Sequence, residues 1–157
     1  MSTEFLGREV DVIPAFEPDG LLPPGTHECN YPELRTALAF SEKRVRLLDG
    51  LSRLLNTLPD KSPIQSILID GSFVQDKTDP SDLDLVIVLD SIRDGSRGQL
   101  LLAHVSHRFV SFKATFGCDA HVATADQGLE FWHNLYSHSK TNKEKGLLRI
   151  GPKGGLY

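Results

Sequence analysis

Two aspartates, Asp82 and Asp84, stand two positions apart at the start of an apolar run that ends at Leu89. Successive side chains of a β-strand point to opposite faces, so both carboxylates would share one face while Leu83 and Leu85 point into the core. Two like charges about 6–7 Å apart along a strand repel each other unless a cation neutralises them. Carboxylate oxygens suit Mg²⁺ or Mn²⁺, and these ions take further ligands from substrate phosphates. The pair therefore predicts a divalent metal site for phosphate chemistry.

A Gly71-Ser72 pair follows the apolar run 64–69, and nine residues separate it from Asp82. Glycine lets a backbone approach a phosphate closely, and the N–H groups that follow can point at its oxygens. The Ser72 hydroxyl can donate to a terminal phosphate. Neither a P-loop nor a dinucleotide-binding fingerprint is present, because no Gly-Lys-Ser/Thr and no Gly-x-Gly-x-x-Gly follows the strand. The alternative is that Gly71 only makes a turn and that the aspartates only face solvent. This alternative is disfavoured, because the Gly-Ser pair and the aspartate pair occur together between two apolar strands.

Gly71-Ser72, nine intervening residues and Asp82-x-Asp84 together resemble the signature of the DNA polymerase β-like nucleotidyltransferase superfamily. The resemblance implies that Asp82, Asp84 and a third carboxylate on a neighbouring strand hold two divalent ions and act in catalysis. Asp119, in the strand-like run 118–122, is the first candidate for that third ligand. The weaker candidates are Asp90, Asp126 and Glu130.

Most of the chain also resembles small bacterial and phage proteins of uncharacterised function that carry this domain almost alone. The similar positions are residues 21–27, Gly71 to Val74, Lys77, Pro80, Asp82, Asp84, Trp132 and Lys145 to Leu147. The implied activity is transfer of a nucleoside monophosphate from a nucleoside triphosphate to a hydroxyl of a protein, an RNA or a small molecule. Toxin–antitoxin and phage-defence systems contain minimal enzymes of this form.

The resemblance also implies a nucleotide-binding set around the turn. Gly71 and Ser72 would steady the β- and γ-phosphates, and a basic side chain would neutralise the charge of the leaving pyrophosphate. Lys77, Lys145 and Arg149 are the candidate cations, of which Lys77 and Lys145 are assigned to nucleotide binding. Solvated surface charge is the alternative for each.

The histidines and late aromatic residues suit structural roles as well as functional ones. His104 and His107 lie one helical turn apart, but without a His-Glu-x-x-His pattern or paired cysteines a zinc site is disfavoured. His121 shares a predicted strand face with Asp119, so it either lines the cleft or serves structurally. Core packing is favoured over base stacking for Phe131, Trp132 and Tyr136.

Composition limits the class of protein. The chain has 157 residues, enough for one domain with a substantial core and too few for two ordinary ones. A net charge of −4 gives no overall basic field for nucleic acid, so an RNA substrate would need a local patch. Without an apolar run of membrane length or a secretory start, a soluble cytoplasmic protein without a membrane partner is expected. Cys29 and Cys118 lack a paired spacing and are expected to be reduced.

Residues 1–29 are rich in proline and glycine and predict an extended arm, either draped over the domain or bound to a partner protein. Residues 30–157 are predicted to form a single nucleotidyltransferase-like domain. Asn30 and Glu33 predict a capping box at a helix start, and leucines continue at helical spacing to Pro59 with a break near Ser41. The basic residues expected on the outer face of this helix are Lys43, Arg44, Arg46 and Arg53.

The remaining pattern alternates strands and helices. Strands are predicted over 64–69, 83–89, a short run that carries Asp119, and 147–150 at a sheet edge. Helices are predicted over 99–116, which Gly117 ends, and over 127–137. The predicted fold is α/β (α+β), a nucleotidyltransferase-type mixed sheet with helices packed chiefly on one face.

Three functions stay open at this point. The first is a metal-dependent nucleotidyltransferase, and the second is a Mg-nucleotide-binding regulator that lacks turnover because the chain has little room for an acceptor domain. The third is a module that binds a partner through the N-terminal arm. The paired aspartates and a third carboxylate favour the enzyme. Like charges that repel each other destabilise a fold, so a protein that no longer uses the site can lose them.

Overall fold

The computed structural model describes residues 13–57, 64–89, 114–124 and 145–151. Its elements in chain order are β1 (Gly25–Cys29), α1 (Tyr31–Leu38), α2 (Glu42–Thr57), β2 (Ile64–Asp70), a 3₁₀ helix (Gly71–Val74), β3 (Leu83–Leu89), β4 (Cys118–Thr124) and β5 (Gly146–Ile150). Within these ranges no helix has the length and apolar character needed to cross a membrane.

The five strands form one mixed sheet in the order β1-β5-β2-β3-β4. β2 runs antiparallel to both β3 and β5, whereas β1 is parallel to β5 and β4 is parallel to β3. The predicted α/β class with a mixed sheet is confirmed. The prediction that 147–150 forms an edge strand is wrong, because β5 lies between β1 and β2. Sequence reasoning missed β1, whose Gly-Thr-His-Glu-Cys composition is polar, as suits a strand at an edge.

Alternation along the strands divides the sheet into two faces. Leu83, Leu85 and Ile87 of β3 belong to the main core, which also contains the buried leucines of α1 and α2. Both described α-helices therefore pack on this face, as predicted. Val86 and Val88 belong to a smaller buried cluster on the opposite face. Asp84, the one acidic residue of β3, shares that second face.

The start of α1 and the break before α2 follow local sequence signals. The Asn30 side chain accepts a hydrogen bond from the Glu33 N–H at 2.8 Å, and the Glu33 carboxylate accepts one from the Asn30 N–H at 2.8 Å. This is the predicted capping box. α1 ends at Leu38 and α2 begins at Glu42, so the predicted break near Ser41 is confirmed. Ser41 Oγ accepts from the Arg44 N–H at 3.2 Å in the first turn of α2.

Arg44 is fully buried, so its predicted place on the outer face of the helix is wrong. Its guanidinium donates to four backbone carbonyls, those of Leu38, Phe73, Gln75 and Lys77. It also lies over the Phe40 ring, 4.1 Å from the centroid. Burial lowers the pKa of Arg44 to about 10, so it stays charged at neutral pH. Arg44 thereby fastens the chain after the 3₁₀ helix to the helical layer, an arrangement that helical periodicity cannot reveal.

The described part of the predicted N-terminal arm, residues 13–29, is built into the domain. Ile13 and Leu22 are buried in the main core. The Asp76 N–H donates to the Gly20 carbonyl at 3.0 Å, and the Gly146 N–H donates to the Leu22 carbonyl at 3.1 Å. This segment therefore braces both the loop after the 3₁₀ helix and the start of β5 before it enters the sheet as β1. Residues 1–12 lie outside the described part.

The other predicted elements fall partly or wholly outside the described residues. Of the predicted helix 99–116, residues 114–116 are described and are helical, and Gly117 follows with a φ of 73°. The predicted helix 127–137 lies outside the described ranges, as do His104, His107, Phe131, Trp132 and Tyr136.

Candidate metal and phosphate site

Strand register brings three aspartates into one row across the sheet. Asp70 at the end of β2 is paired with Asp84 of β3, and Asp84 is paired with Asp119 of β4. Paired residues of neighbouring strands project from the same face of a sheet, so the three side chains share the face opposite α1 and α2. Asp82 precedes Asp84 by two positions, at the mouth of β3.

The carboxylates of Asp82, Asp84 and Asp119 converge at this edge. One oxygen from each lies within 4.8 Å of the others, and all three residues are partly buried. A cluster of hard oxygen donors fits a divalent cation such as Mg²⁺ or Mn²⁺, with room for ligands from a substrate. The predicted proximity of Asp119 to the aspartate pair is therefore observed, whereas metal binding itself stays a prediction. The weaker candidates for the third carboxylate, Asp90, Asp126 and Glu130, lie outside the described residues.

Gly71 begins the 3₁₀ helix directly beside this cluster. Its φ of 77° lies in the left-handed region, which favours glycine over any residue with a side chain. A Cβ at this position would also overlap Oδ2 of Asp84. Both the turn and the close approach of backbone to carboxylate therefore require glycine. Ser72 follows as a partly exposed residue, and its carbonyl accepts from the Gln75 N–H at 3.2 Å.

Lys145 lies in a buried ion pair rather than on the surface. Its Nζ is 2.5 Å from Oδ1 of Asp70, and the two side chains are 4% and 5% exposed. The pKa of the Asp70 carboxyl is raised overall, because the effect of burial is the largest one. The Lys145 charge and the hydrogen bonds from Lys145 and the Gly71 N–H act in the opposite direction and lower this pKa. Lys145 therefore stands next to the predicted phosphate turn, with its charge engaged by Asp70.

Asp70 is a residue of this site that sequence reasoning missed. The signal was present, because a carboxylate at the end of a strand that is otherwise almost wholly apolar needs a cation or a set of donors when it is buried. The missing information was the partner. Lys145 is 75 positions away in the chain and reaches Asp70 only because β5 pairs with β2.

The other candidate cations occupy different places. The side chain of Lys77 is exposed, and its backbone carbonyl accepts from Arg44 Nε at 2.9 Å. Arg149 is partly buried on β5, paired with Leu68 on the same face as the aspartates. Lys77 thus belongs to a loop whose backbone is bound by Arg44. Arg149 is paired with Leu68, two positions before Asp70 on β2.

His121 projects from the same face as Asp119, as predicted. Its Nε2 lies 3.7 Å from Oδ1 of Asp119, and about a third of each side chain is exposed (33% and 32%). Cys118, on the opposite face, is fully buried, and burial raises the pKa of its thiol to about 12. The prediction that Cys118 is a small buried residue is confirmed. Cys118 is part of the main core, on the face of β4 opposite to Asp119.

A mixed sheet with a glycine turn after one strand and carboxylates on the next two defines an α/β protein with a candidate divalent-metal site. The chain belongs to DUF6932, a family of unknown function whose model matches residues 14–151. No curated protein matches the chain, and no solved structure matches it. The match begins within the predicted arm, in agreement with the integration of that segment into the sheet.

Proposed function

We propose that this protein is a metal-dependent nucleotidyltransferase, which transfers a nucleoside monophosphate from a nucleoside triphosphate to a hydroxyl acceptor. The observation that carries the proposal is the convergence of Asp82, Asp84 and Asp119 next to a glycine turn that admits no side chain. Structural aspartates do not need to gather within 4.8 Å of one another, since mutual repulsion destabilises the fold. A site for divalent ions explains their retention.

In the proposed reaction the acceptor oxygen bonds to the α-phosphorus, the bond from this phosphorus to the bridging oxygen breaks, and pyrophosphate leaves. Asp82, Asp84 and Asp119 would hold two Mg²⁺ or Mn²⁺ ions, which lower the pKa of the acceptor hydroxyl and neutralise the triphosphate. The turn at Gly71 would bring the backbone close to the phosphates, and Ser72 would position them through its backbone N–H and its hydroxyl. The acceptor's proton passes to solvent. The acceptor itself is a protein, an RNA or a small molecule, in a cytoplasmic setting such as toxin–antitoxin or phage defence.

A Mg-nucleotide-binding regulator with little turnover is the second candidate. The buried pair of Lys145 with Asp70 supports it, because a lysine engaged in this way supplies less charge to a leaving pyrophosphate than a free one. Binding of a partner protein through the N-terminal arm has less support, since residues 13–29 are already used by the core and the sheet.

Label transfer tests the proposal directly. Each of the four α-labelled nucleoside triphosphates is incubated with the protein, Mg²⁺ or Mn²⁺, and total RNA or a protein extract. The Asp82→Asn/Asp84→Asn variant should lose the transfer, and Asp79→Asn, in the exposed part of the same loop, should retain it. Nucleotide binding that depends on Mn²⁺ without any label transfer would favour the regulator instead.

A further inference from the structure

We infer that the buried pair of Asp70 and Lys145 withholds a fourth carboxylate from the metal site, and thereby limits how tightly the site holds divalent cations. The inference rests on the proposed function, because it takes the carboxylates of Asp82, Asp84 and Asp119 to be the metal ligands. Asp70 and Lys145 themselves lie outside that ligand set.

Strand register places Asp70 where a ligand would be expected. Asp70 is directly paired with Asp84 across β2 and β3, just as Asp119 is paired with Asp84 across β3 and β4. Directly opposed side chains of neighbouring strands begin about 4.5–5.5 Å apart at Cβ. Asp70 and Asp119 therefore flank Asp84 from its two sides, yet the cluster of converging carboxylates contains Asp119 and not Asp70.

The side chain of Asp70 is instead bound on the β5 side. Lys145 Nζ lies 2.5 Å from its Oδ1, and the Gly71 N–H also donates to this carboxylate. Both charged groups are about 4% exposed, so they are almost entirely withdrawn from water. A buried ion pair of this kind is costly to separate, because either partner alone would leave an uncompensated charge in the interior.

The consequence is a difference among four neighbouring carboxylates: those of Asp82, Asp84 and Asp119 converge on one point, whereas that of Asp70 is held by Lys145. The Lys145 ammonium neutralises the Asp70 carboxylate, as a bound cation would. With only three carboxylates at the site, ions held there keep coordination positions for phosphate oxygens, whereas a fourth carboxylate would compete for them. This role also explains why a lysine so close to the predicted phosphate turn is buried.

Charge substitutions at the pair should change metal affinity in opposite directions. Lys145→Met removes the ammonium, so a bound Mn²⁺ becomes the cation nearest to the Asp70 carboxylate and should bind more tightly by roughly three- to tenfold, as Coulomb's law gives for one unit charge near a divalent cation in a partly solvated site. Asp70→Asn leaves an unpaired ammonium and should weaken binding. Asp70→Asn/Lys145→Met should return the affinity to within about twofold of wild type, because its net charge is unchanged.

Mn²⁺ binding to the full-length protein, measured by the electron paramagnetic resonance signal of free Mn²⁺, tests these signs. Asp82→Asn/Asp84→Asn serves as the control that removes ligands, and circular dichroism verifies the fold of every variant. If Lys145→Met does not fold, the comparison of Asp70→Asn with the double variant carries the test, and the double variant must bind Mn²⁺ more tightly.

Loss of affinity in both single variants would overturn the inference, since it would mean that the pair only supports the turn at Gly71. Unchanged affinity in both would overturn it as well. Wild-type protein that binds no Mn²⁺ would contradict both this inference and the proposed function. Mn²⁺ binding with the expected signs but without label transfer would contradict nucleotidyl transfer alone.

Discussion

The backbone of Gly71 lies against the carboxylate of Asp84 so closely that a methyl group on Gly71 would overlap Asp84 Oδ2. Gly71→Ala should therefore displace a predicted metal ligand, besides introducing a left-handed alanine that costs about 1–2 kcal/mol. We expect Mn²⁺ affinity to fall by at least about tenfold, the effect of losing roughly 1.4 kcal/mol. Calorimetric titration with Mn²⁺ measures this change.

Gly25→Ala provides the matched control for this substitution. Gly25 also has a positive φ, 116°, but no atom lies within 4 Å of the position where its Cβ would be. Gly25→Ala should lower thermal stability through backbone strain and leave Mn²⁺ affinity unchanged. Equal losses of affinity in both variants would show that strain, rather than contact with Asp84, is responsible.

Neutralising one carboxylate of the cluster should stabilise the metal-free protein. The oxygens of Asp82, Asp84 and Asp119 lie within 4.8 Å of one another, and like charges at such a separation repel by about 1 kcal/mol in a water-like dielectric. Asp119→Asn should raise the free energy of unfolding by about this amount in EDTA. In the presence of Mn²⁺ the wild-type protein should be more stable than Asp119→Asn, because the variant lacks one metal ligand and gains less stability from the bound ion. Urea unfolding under both conditions measures this, and a destabilised variant in EDTA would contradict the repulsion.

Arg44 should be among the most sensitive positions of the fold. Its guanidinium donates to carbonyls of three segments, and lysine cannot reproduce this planar set of donors. Arg44→Lys should therefore lower the free energy of unfolding by about 2–4 kcal/mol, since each lost hydrogen bond from a charged donor costs about 1.5–3 kcal/mol and some are replaced. Arg46→Lys is the control, because Arg46 is 66% exposed and its substitution should change stability by less than about 0.5 kcal/mol.

The three carboxylates could be found from the sequence because they depend on local rules. Strand periodicity fixes Asp82 and Asp84 on one face, and a short strand with an acidic residue sufficed to point to Asp119. Asp70, Lys145 and Arg44 could not be assigned in this way. Each is a charged side chain that is buried because of partners far away in the chain, and local spacing does not identify those partners. β1 was missed for the converse reason, since its polar residues resemble a loop until β5 pairs with them.

Cys29 should make the stability of the protein sensitive to alkaline pH. Burial raises the pKa of its thiol from 9.0 to about 12, with a smaller contribution from Glu33. Between these values the unfolded chain releases the proton and the folded protein retains it, so the folded state binds more protons and stability falls as pH rises. At pH 10 the loss from this thiol should be about 1 kcal/mol. Urea unfolding from pH 8 to 10 should give a flatter dependence for Cys29→Ala, whereas Glu28→Gln, at an exposed position of the same strand, should keep the wild-type slope. Equal slopes in wild type and Cys29→Ala would show that the thiol does not control this dependence.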